Sequence, residues 1–386
     1  MNYIEKIELI IKESLESIET NQYKGYDPAD LLNSKYNFIK KLPGGILKVI
    51  SLINIYSPYN FRPILKVQPA ENTTAMVILG HIYLNLYKVY KDEVYLTKIN
   101  FIESWLLNNA IKDNNTLGWA RIIDYQFNSK QDFKNNSSLT FINAEALKLF
   151  LDLYEYTKYS KYLDYSIKIA DHLSLETNII KREFGYCLSY ASKLNIEIYN
   201  ASIIAGSQLN RLYKYTNNED YLELSLRILE YTLQIQKKDG SWYYSLNNGK
   251  EKKQIDFHQT YMLSGIIDYE FEIENKEVIN NYNNGLDFYV KKMFDDRGLP
   301  YWRYPIKYPI DVHNISHAIL FFSKYNIEPD LNRKLINLLI DEFYNKRMKQ
   351  FYYHKWPFLK NKIHYFRWNT IWSIYALSVY VLKNKM

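Results

Sequence analysis

The sequence predicts an all-α protein of the (α/α)6 toroid class, a ring of six helical hairpins with short aromatic-rich β segments in its loops. Three observations carry this. Starts at Asn143, Asn200, Asp256, Asp311 and Arg367 recur at spacings of 57, 56, 55 and 56 residues. Each start opens an apolar helical stretch, such as AEALKLFLDLYEYTK or ASIIAGSQLNRLYKYT, then a short polar turn and a second amphipathic stretch such as YLELSLRILEYTLQIQ. Each unit closes on a Gly-and-aromatic segment: FGYCLSY, DGSWYYS, RGLPYWRY, KQFYYHKW.

The earlier unit starting at Thr74 has the same layout and ends in LGWARI. Units from 74, 143, 200, 256 and 311 supply five helix pairs, and a lone helix runs from Arg367 to the end. The amphipathic helix at residues 1–20, apolar every three or four residues, supplies its partner and closes the ring. The first helix of each pair is the more apolar and belongs inside; the second, richer in Lys and Glu, belongs on the solvent side. An open solenoid also repeats helix pairs, but in units of roughly 33–47 residues. The longer units and a partnerless helix at each end favour closure. Residues 21–72 fall outside the repeat and are dense in turn signals (Gly25, Pro28, Pro43, Gly44, Gly45, Pro58, Pro63). They are expected as an irregular segment over one mouth of a single domain spanning 1–386.

Composition excludes several classes. The net charge of +7 comes with no long basic run and no nucleic-acid-binding signature, so no nucleic acid is expected. A lone cysteine, Cys187, excludes an intrachain disulfide and a thiolate cluster. The glutamate-bearing N-terminal helix is no signal peptide, and no apolar run approaches transmembrane length, so membrane insertion is not expected and the cytoplasm is the expected location. The chain holds 39 tyrosines and 7 tryptophans, so only their placement is informative.

Aligning the repeats puts Glu145, Ser202, His258, His313 and Asn369 at one level near the inner-helix N-termini. Asn143, Asn200, Asp256, Asp311 and Arg367 lie two residues earlier. Two consecutive units therefore carry Asp-x-His, as DFH and DVH, 55 residues apart. Asp256, His258, Asp311 and His313 are the candidate catalytic residues. Each Asp is also a natural N-cap, accepting a backbone N–H two or three residues on. The positive end of a helix disfavours imidazolium, which suits a histidine that takes a proton. Two carboxylates on neighbouring helices could instead span the roughly 6.5–9.5 Å of an inverting glycosidase. His313 and His317 share a helical face but lack the Glu of HExxH, so no metal and no cofactor are expected.

A second constellation is aromatic: Trp119, Tyr186, Trp242, Tyr243, Tyr301, Trp302 and Tyr304, flat faces suited to stacking on sugars or to filling gaps between hairpins. Trp242 closes QKKDGSW, the Gln-x3-Gly-x-Trp pattern that ties helices together in triterpene cyclases. Neither DxDD nor DDxxD accompanies it, and Asp295-Asp296 in FDDRG reads as a turn.

Seven segments in order, YKGYDPADLLNS (23–34), SPYNFRP (57–63), NASIIAGS (200–207), GSWYY (240–244), DFHQTYMLSGI (256–266), YPIDVHNISHAI (308–319) and FRWNTIWSIYALS (366–378), resemble α/α-toroid proteins of surface-polysaccharide biosynthesis gene clusters. The resemblance spans residues 22–384 and implies a six-hairpin glycosidase-like fold and a part in carbohydrate metabolism: capsule, O-antigen or exopolysaccharide assembly. It picks out Asp27, Arg62, Asn200, His258, Asp311, His313, Arg367 and Trp368. The family's Trp-Gly-aromatic-rich segment is replaced here by GWARIIDYQF (118–127).

The expected ligand is a saccharide, with uronic and amino sugars among the candidates, held by Asp27, Arg62, Asn200, Trp242, Trp302, Tyr304, Arg367 and Trp368. Arg62 or Arg367 would pair a sugar carboxylate bidentately. The reaction is of glycosidase, epimerase or lyase type. Asp256 and Asp311 serve as acid and base in the first case, and His258 or His313 removes a proton in the others. The alternative is a non-catalytic glycan-binding or scaffolding protein that docks polysaccharide-assembly partners.

Overall fold

The structure is a computed structural model and describes residues 2–122, 125–126, 132–133, 137–247, 249–269 and 275–386. Its α-helices are, in order, α1 (Tyr3–Thr20), α2 (Asn37–Lys40), α3 (Gly44–Tyr56), α4 (Thr73–Tyr90), α5 (Glu93–Asn108), α6 (Thr140–Thr157), α7 (Ser160–Asp171), α8 (Tyr199–Thr216), α9 (Glu219–Gln234), α10 (His258–Ile267), α11 (Lys276–Lys292), α12 (Val312–Tyr325), α13 (Pro329–Leu338) and α14 (Trp372–Lys385). From α6 onward they pack in the pairs the repeat requires, α6 with α7, α8 with α9, α10 with α11 and α12 with α13. The turns explain why. The first helices α4, α6, α8 and α12 each end on a left-handed residue (Lys91, Lys158, Asn217, Asn326) whose N–H returns to the carbonyl four back. The second helix of the pair starts within three residues of it.

The chain divides into two compact units. The first comprises Met1–Leu106, Arg121–Asn136 and Tyr308–Met386; the second comprises Leu107–Ala120 and Ser137–Lys307. In the first unit α14 packs against α1, α4 and α12. Asn2 caps α1 in a reciprocal box with Glu5, and α1 buries the stripe Ile7, Ile10, Ile11, Leu15 and Ile18. Helix α4 is buried without a break from Thr73 to Leu86, as an inner helix must be. Small polar residues join these helices: Ser316 and Ser373 bond at 3.0 Å, and Asn85 Nδ2 donates to Ser378 Oγ at 3.1 Å.

In the second unit α8 lies between α6 and α10, with α9 outside it. Arg211 of α8 donates to Asp152 and Glu155 of α6. Helix α10 approaches α8 so closely that a Cβ on Gly265 would lie 2.6 Å from Ile203. The outer helix α9 buries one face only, along Tyr221, Leu224, Ile228 and Thr232.

Strands are confined to the aromatic segments and their neighbours. Ile179–Arg182 pairs with Gly185–Leu188, Ser245–Asn247 lies between Glu197–Ile198 and Lys250–Lys252, and His354–Lys355 lies between Ile310–Asp311 and Lys360–Asn361. No described helix is long and apolar enough to cross a membrane.

Residues 21–72 correct the expectation of an irregular segment. They contain the 13-residue helix α3 over a small core of their own, Leu31, Ile39, Leu47 and Val67. The turn residues Pro43, Gly44 and Gly45 start this helix and do not exclude one.

Candidate active site

The two Asp-x-His copies share a sequence pattern and differ in geometry. In the second unit, Phe257 takes helical dihedrals just before α10, and the Asp256 and His258 side chains meet. The His258 ring Nδ1–H donates to Asp256 Oδ1 at 2.5 Å, and its backbone N–H donates to the same oxygen at 3.2 Å. Gln254 Nε2 donates to Oδ2 at 2.5 Å. Burial of Asp256 would push its pKa up, but His258 and Gln254 outweigh burial and hold it below the usual carboxylate value. An Nδ1–H held this way leaves the Nε2 lone pair as the basic position. Nε2 makes no hydrogen bond to any described residue.

The His258 ring is bordered by Phe257, with centroids 4.0 Å apart, and by the edge of Tyr244 at 4.6 Å. One turn along α10, Tyr261 meets Phe141 from the first turn of α6 edge-on at 5.5 Å. Lys252 lies over the Tyr244 ring, and Tyr304 N–H donates to Ile255 O at 2.8 Å, which fastens the 301–307 loop beside Asp256. Trp302 and Tyr304 are half-buried there, with the Arg303 guanidinium 4.3 Å from the Trp302 ring. Asn200, in the first turn of α8, is buried with its Oδ1 unpartnered among the described residues.

In the first unit Asp311 is an N-cap. Its Oδ1 accepts the His313 N–H at 2.8 Å, while Oδ2 faces His354 Nε2 at 3.2 Å across the Asp311–His354 strand pair. His313 turns away from it. Its Nδ1 bonds Trp368 O at 3.1 Å, its Nε2 bonds His317 Nε2 at 3.1 Å, and Trp368 stacks on it at 4.1 Å and 15°. Both ring nitrogens are thus engaged and the residue is buried. The two copies thus differ in partner: Asp256 holds its own histidine, whereas Asp311 faces His354.

Two arginines fasten the Asp27–Asp30 loop. Arg62 is fully buried; its Nε donates to both Asp30 oxygens at 2.8 and 2.9 Å, and its terminal nitrogens donate to the Asp27, Pro28 and Asn54 carbonyls. Arg367 makes the bidentate contact foreseen for a sugar carboxylate, but with Asp27, at 2.8 and 3.3 Å, and Asn72 adds a 3.5 Å bond. The expectation that Arg62 grips a ligand is therefore corrected: its guanidinium is directed at protein oxygens. Gly25 permits this strapping, since a Cβ there would lie 2.4 Å from Phe366 Cβ.

Trp242 is a second correction. It is fully buried, its Nε1–H donates to Thr232 O at 3.0 Å, and Gln259 both accepts its N–H and donates to its carbonyl. Gln236 Nε2 donates to Gly240 O and Asn281 O, so the Gln-x3-Gly-x-Trp pattern ties α9, α10 and α11 and presents no face to a sugar. Trp119 is buried likewise, with its N–H on Asn143 Oδ1. The same N–H-to-side-chain tie therefore recurs in two repeats. Tyr186 and Tyr243 carry cations on their rings, Arg227 and Lys237 respectively. Residues 123–124 and 127 of the GWARIIDYQF segment lie outside the described residues.

No group of three His, Cys, Asp or Glu in metal-binding proximity exists among the described residues. Asp295 closes a turn by accepting the N–H groups of Arg297 and Leu299. Cys187 is buried, and burial pushes its thiol up to about 12.

With this geometry the chain is comparable to known proteins. No protein-family model matches it, and no curated protein matches it in sequence. Solved structures do. A GH76 α-mannanase of Bacteroides thetaiotaomicron is 12% identical with a TM-score of 0.69, over 98% of this chain and 96% of that one. The cellobiose 2-epimerase of Bacillus thermoamylovorans is 12% identical with a TM-score of 0.65, over 98% and 100%. An inactive variant of an α-1,6-mannanase of Salegentibacter, solved with α-1,6-mannotriose and altered at two adjacent aspartates, is 9% identical with a TM-score of 0.58, over 81% and 90%. The fold is the α/α toroid of the six-hairpin glycosidases. At such identities the likeness fixes the fold alone, and these neighbours are carbohydrate-active enzymes.

Proposed function

We propose that the chain is a carbohydrate-active enzyme that transfers a proton at a sugar carbon adjacent to a carbonyl or carboxylate, as an epimerase or a lyase, with His258 as the base. The observation that carries this is the Asp256–His258 pair. Asp256 fixes the ring tautomer and stabilises the imidazolium that forms, and Nε2 takes the proton. The electron pair left on carbon passes into the adjacent C=O. The resulting enolate is then reprotonated on its other face, inverting the centre, or expels the group on the next carbon. A tyrosine hydroxyl of the aromatic loops, with Tyr244 beside the ring, returns the proton. Trp302, Tyr304 and Asn200 are the proposed sugar contacts. Asp311, His313, Trp368, Asp27 and Arg367 hold the frame on the other unit.

Hydrolysis by Asp256 and Asp311 fits less well. A general acid needs a raised pKa, whereas Asp256 is held low and spends its oxygens on His258 and Gln254. The only adjacent aspartates in the chain, Asp295 and Asp296, belong to a turn, unlike the pair whose replacement inactivates the mannanase. The ordered motifs support a place in surface-polysaccharide assembly in the cytoplasm, with an acidic sugar among the substrates.

The test is turnover in heavy water on a panel of neutral and acidic oligosaccharides. Wild type should place deuterium at the carbon beside the carbonyl, and His258→Ala should lose it. New reducing ends without carbon-bound deuterium would replace this reading with a hydrolase. Saturable binding with no chemical change would replace it with a glycan-binding protein.

A further inference from the structure

Helix α3 presents its apolar side to solvent. Ile46, Val49, Leu52, Ile53 and Tyr56 are 51, 56, 44, 53 and 38% exposed. At 100° per residue they cover about 120° of the helix, the width of stripe that normally faces a core. The core-facing side is already occupied: Leu47 and Asn54 are buried and Ile50 packs on the small core. The apolar surface continues through Phe38, Tyr59 and Ile64, at 61, 74 and 72% exposure. These eight residues of a 27-residue stretch are over a third of the 22 exposed large hydrophobics among the described residues.

The charge around this face has one sign. Residues 31–70 contain no aspartate or glutamate. Lys35, Lys40, Lys41 and Lys48 are exposed, and none of them makes an ion pair among the described residues. Asp30, just before this stretch, is spent on Arg62.

We propose that α3 and its lysine collar bind an anionic lipid surface, with the helix lying in the plane of the interface. Apolar side chains on one arc, lysines beside them and no acid is the pattern of an interfacial helix, which adsorbs through buried apolar area together with attraction to anionic headgroups. A second copy of the chain fits worse, because a two-fold contact through this face would set the same unneutralised lysines against each other. The Arg62–Asp30 pair and the small core hold the helix at the surface, so it is presented preformed.

Cosedimentation with phosphatidylcholine vesicles, with and without phosphatidylserine, tests this, using the full chain. Wild type should bind the serine-containing vesicles, release in high salt, and remain in solution with pure phosphatidylcholine. Val49→Asp/Ile53→Asp should abolish binding, and each of Lys40→Gln and Lys48→Gln should weaken it about fivefold. Leu175→Asp, an exposed site elsewhere at 75%, should bind as wild type, and circular dichroism should show all variants folded. Absence of wild-type binding to the anionic vesicles, or undiminished binding by the folded double variant, overturns the proposal. So does a wild-type dimer that the double variant dissolves while neither protein touches vesicles.

Discussion

Replacing Gly285 by alanine tests whether Trp242 is a tie between helices. A Cβ at Gly285 would meet two ring atoms of Trp242 at 2.5 Å and Leu263 Cδ2 at 3.1 Å. Restoring ordinary contact moves the ring by about 1 Å. The ring is not free to move: its Nε1–H is bonded to Thr232 O and its backbone is clasped by Gln259. Overpacking costs about 1–3 kcal/mol, and a stretched or broken buried hydrogen bond costs about 1–3 kcal/mol more. Alanine in the middle of α11 returns about 1 kcal/mol of helix propensity. The net expectation is a loss of about 2–3 kcal/mol, which at a urea m-value of about 3 kcal/mol/M lowers the midpoint by somewhat under 1 M. Gly45→Ala is the control, since its Cβ meets nothing within 4 Å, and it should match or exceed wild type. A Gly285→Ala protein with an unchanged or raised midpoint would refute the account, because the ring would then have room to yield.

Arg62→Met removes the cation that pairs with buried Asp30, and stability read from urea melts should drop by about 3–5 kcal/mol; unchanged stability would return Arg62 to the candidate ligand contacts. Asp256 has a folded pKa below its unfolded value of about 3.9. The stability it supplies is therefore fully present above about pH 4 and is lost as pH falls through the lower folded value. The stability gap between wild type and Asp256→Asn should be constant near neutrality and shrink in acid, as read from urea melts across pH; a gap that widens in acid would contradict the assignment.

The hairpins were legible because helix pairing is local. The starts at Asn143, Asn200 and Asp311 fall within three residues of the first turns of α6, α8 and α12, and polar turns such as Asn217 and Asn326 mark where a left-handed residue ends the inner helix. The pairing of α1 with the last helix was legible too, by counting. Side-chain destinations were not. Arg62 and Arg367 look alike as free cations until Asp30 and Asp27 are seen beside them, the latter 340 residues away. DFH and DVH differ only in the middle residue, yet one Asp bonds its own histidine and the other faces His354, a residue 43 positions on that the motif does not contain. Trp242 carried a usable signal in a distant glycine, since the buried indole needs Gly285 against its ring. Helix α3 was hidden by the proline and glycines that start it.

Because α1 packs on α14, the first helix leaves the ribosome long before its cover exists. The stretch from Thr20 to Lys385 takes on the order of 20–70 s to synthesise at usual elongation rates. Through that interval the stripe Ile7, Ile10, Ile11, Leu15 and Ile18 has no α14 to cover it, while the second unit, complete by Lys307, is free to close. From Lys307 to the end of synthesis the nascent chain therefore carries one finished unit beside an α1 that is still uncovered. Its yield in a cell should depend on holdase chaperones that mask α1 more than on the stability of the finished protein.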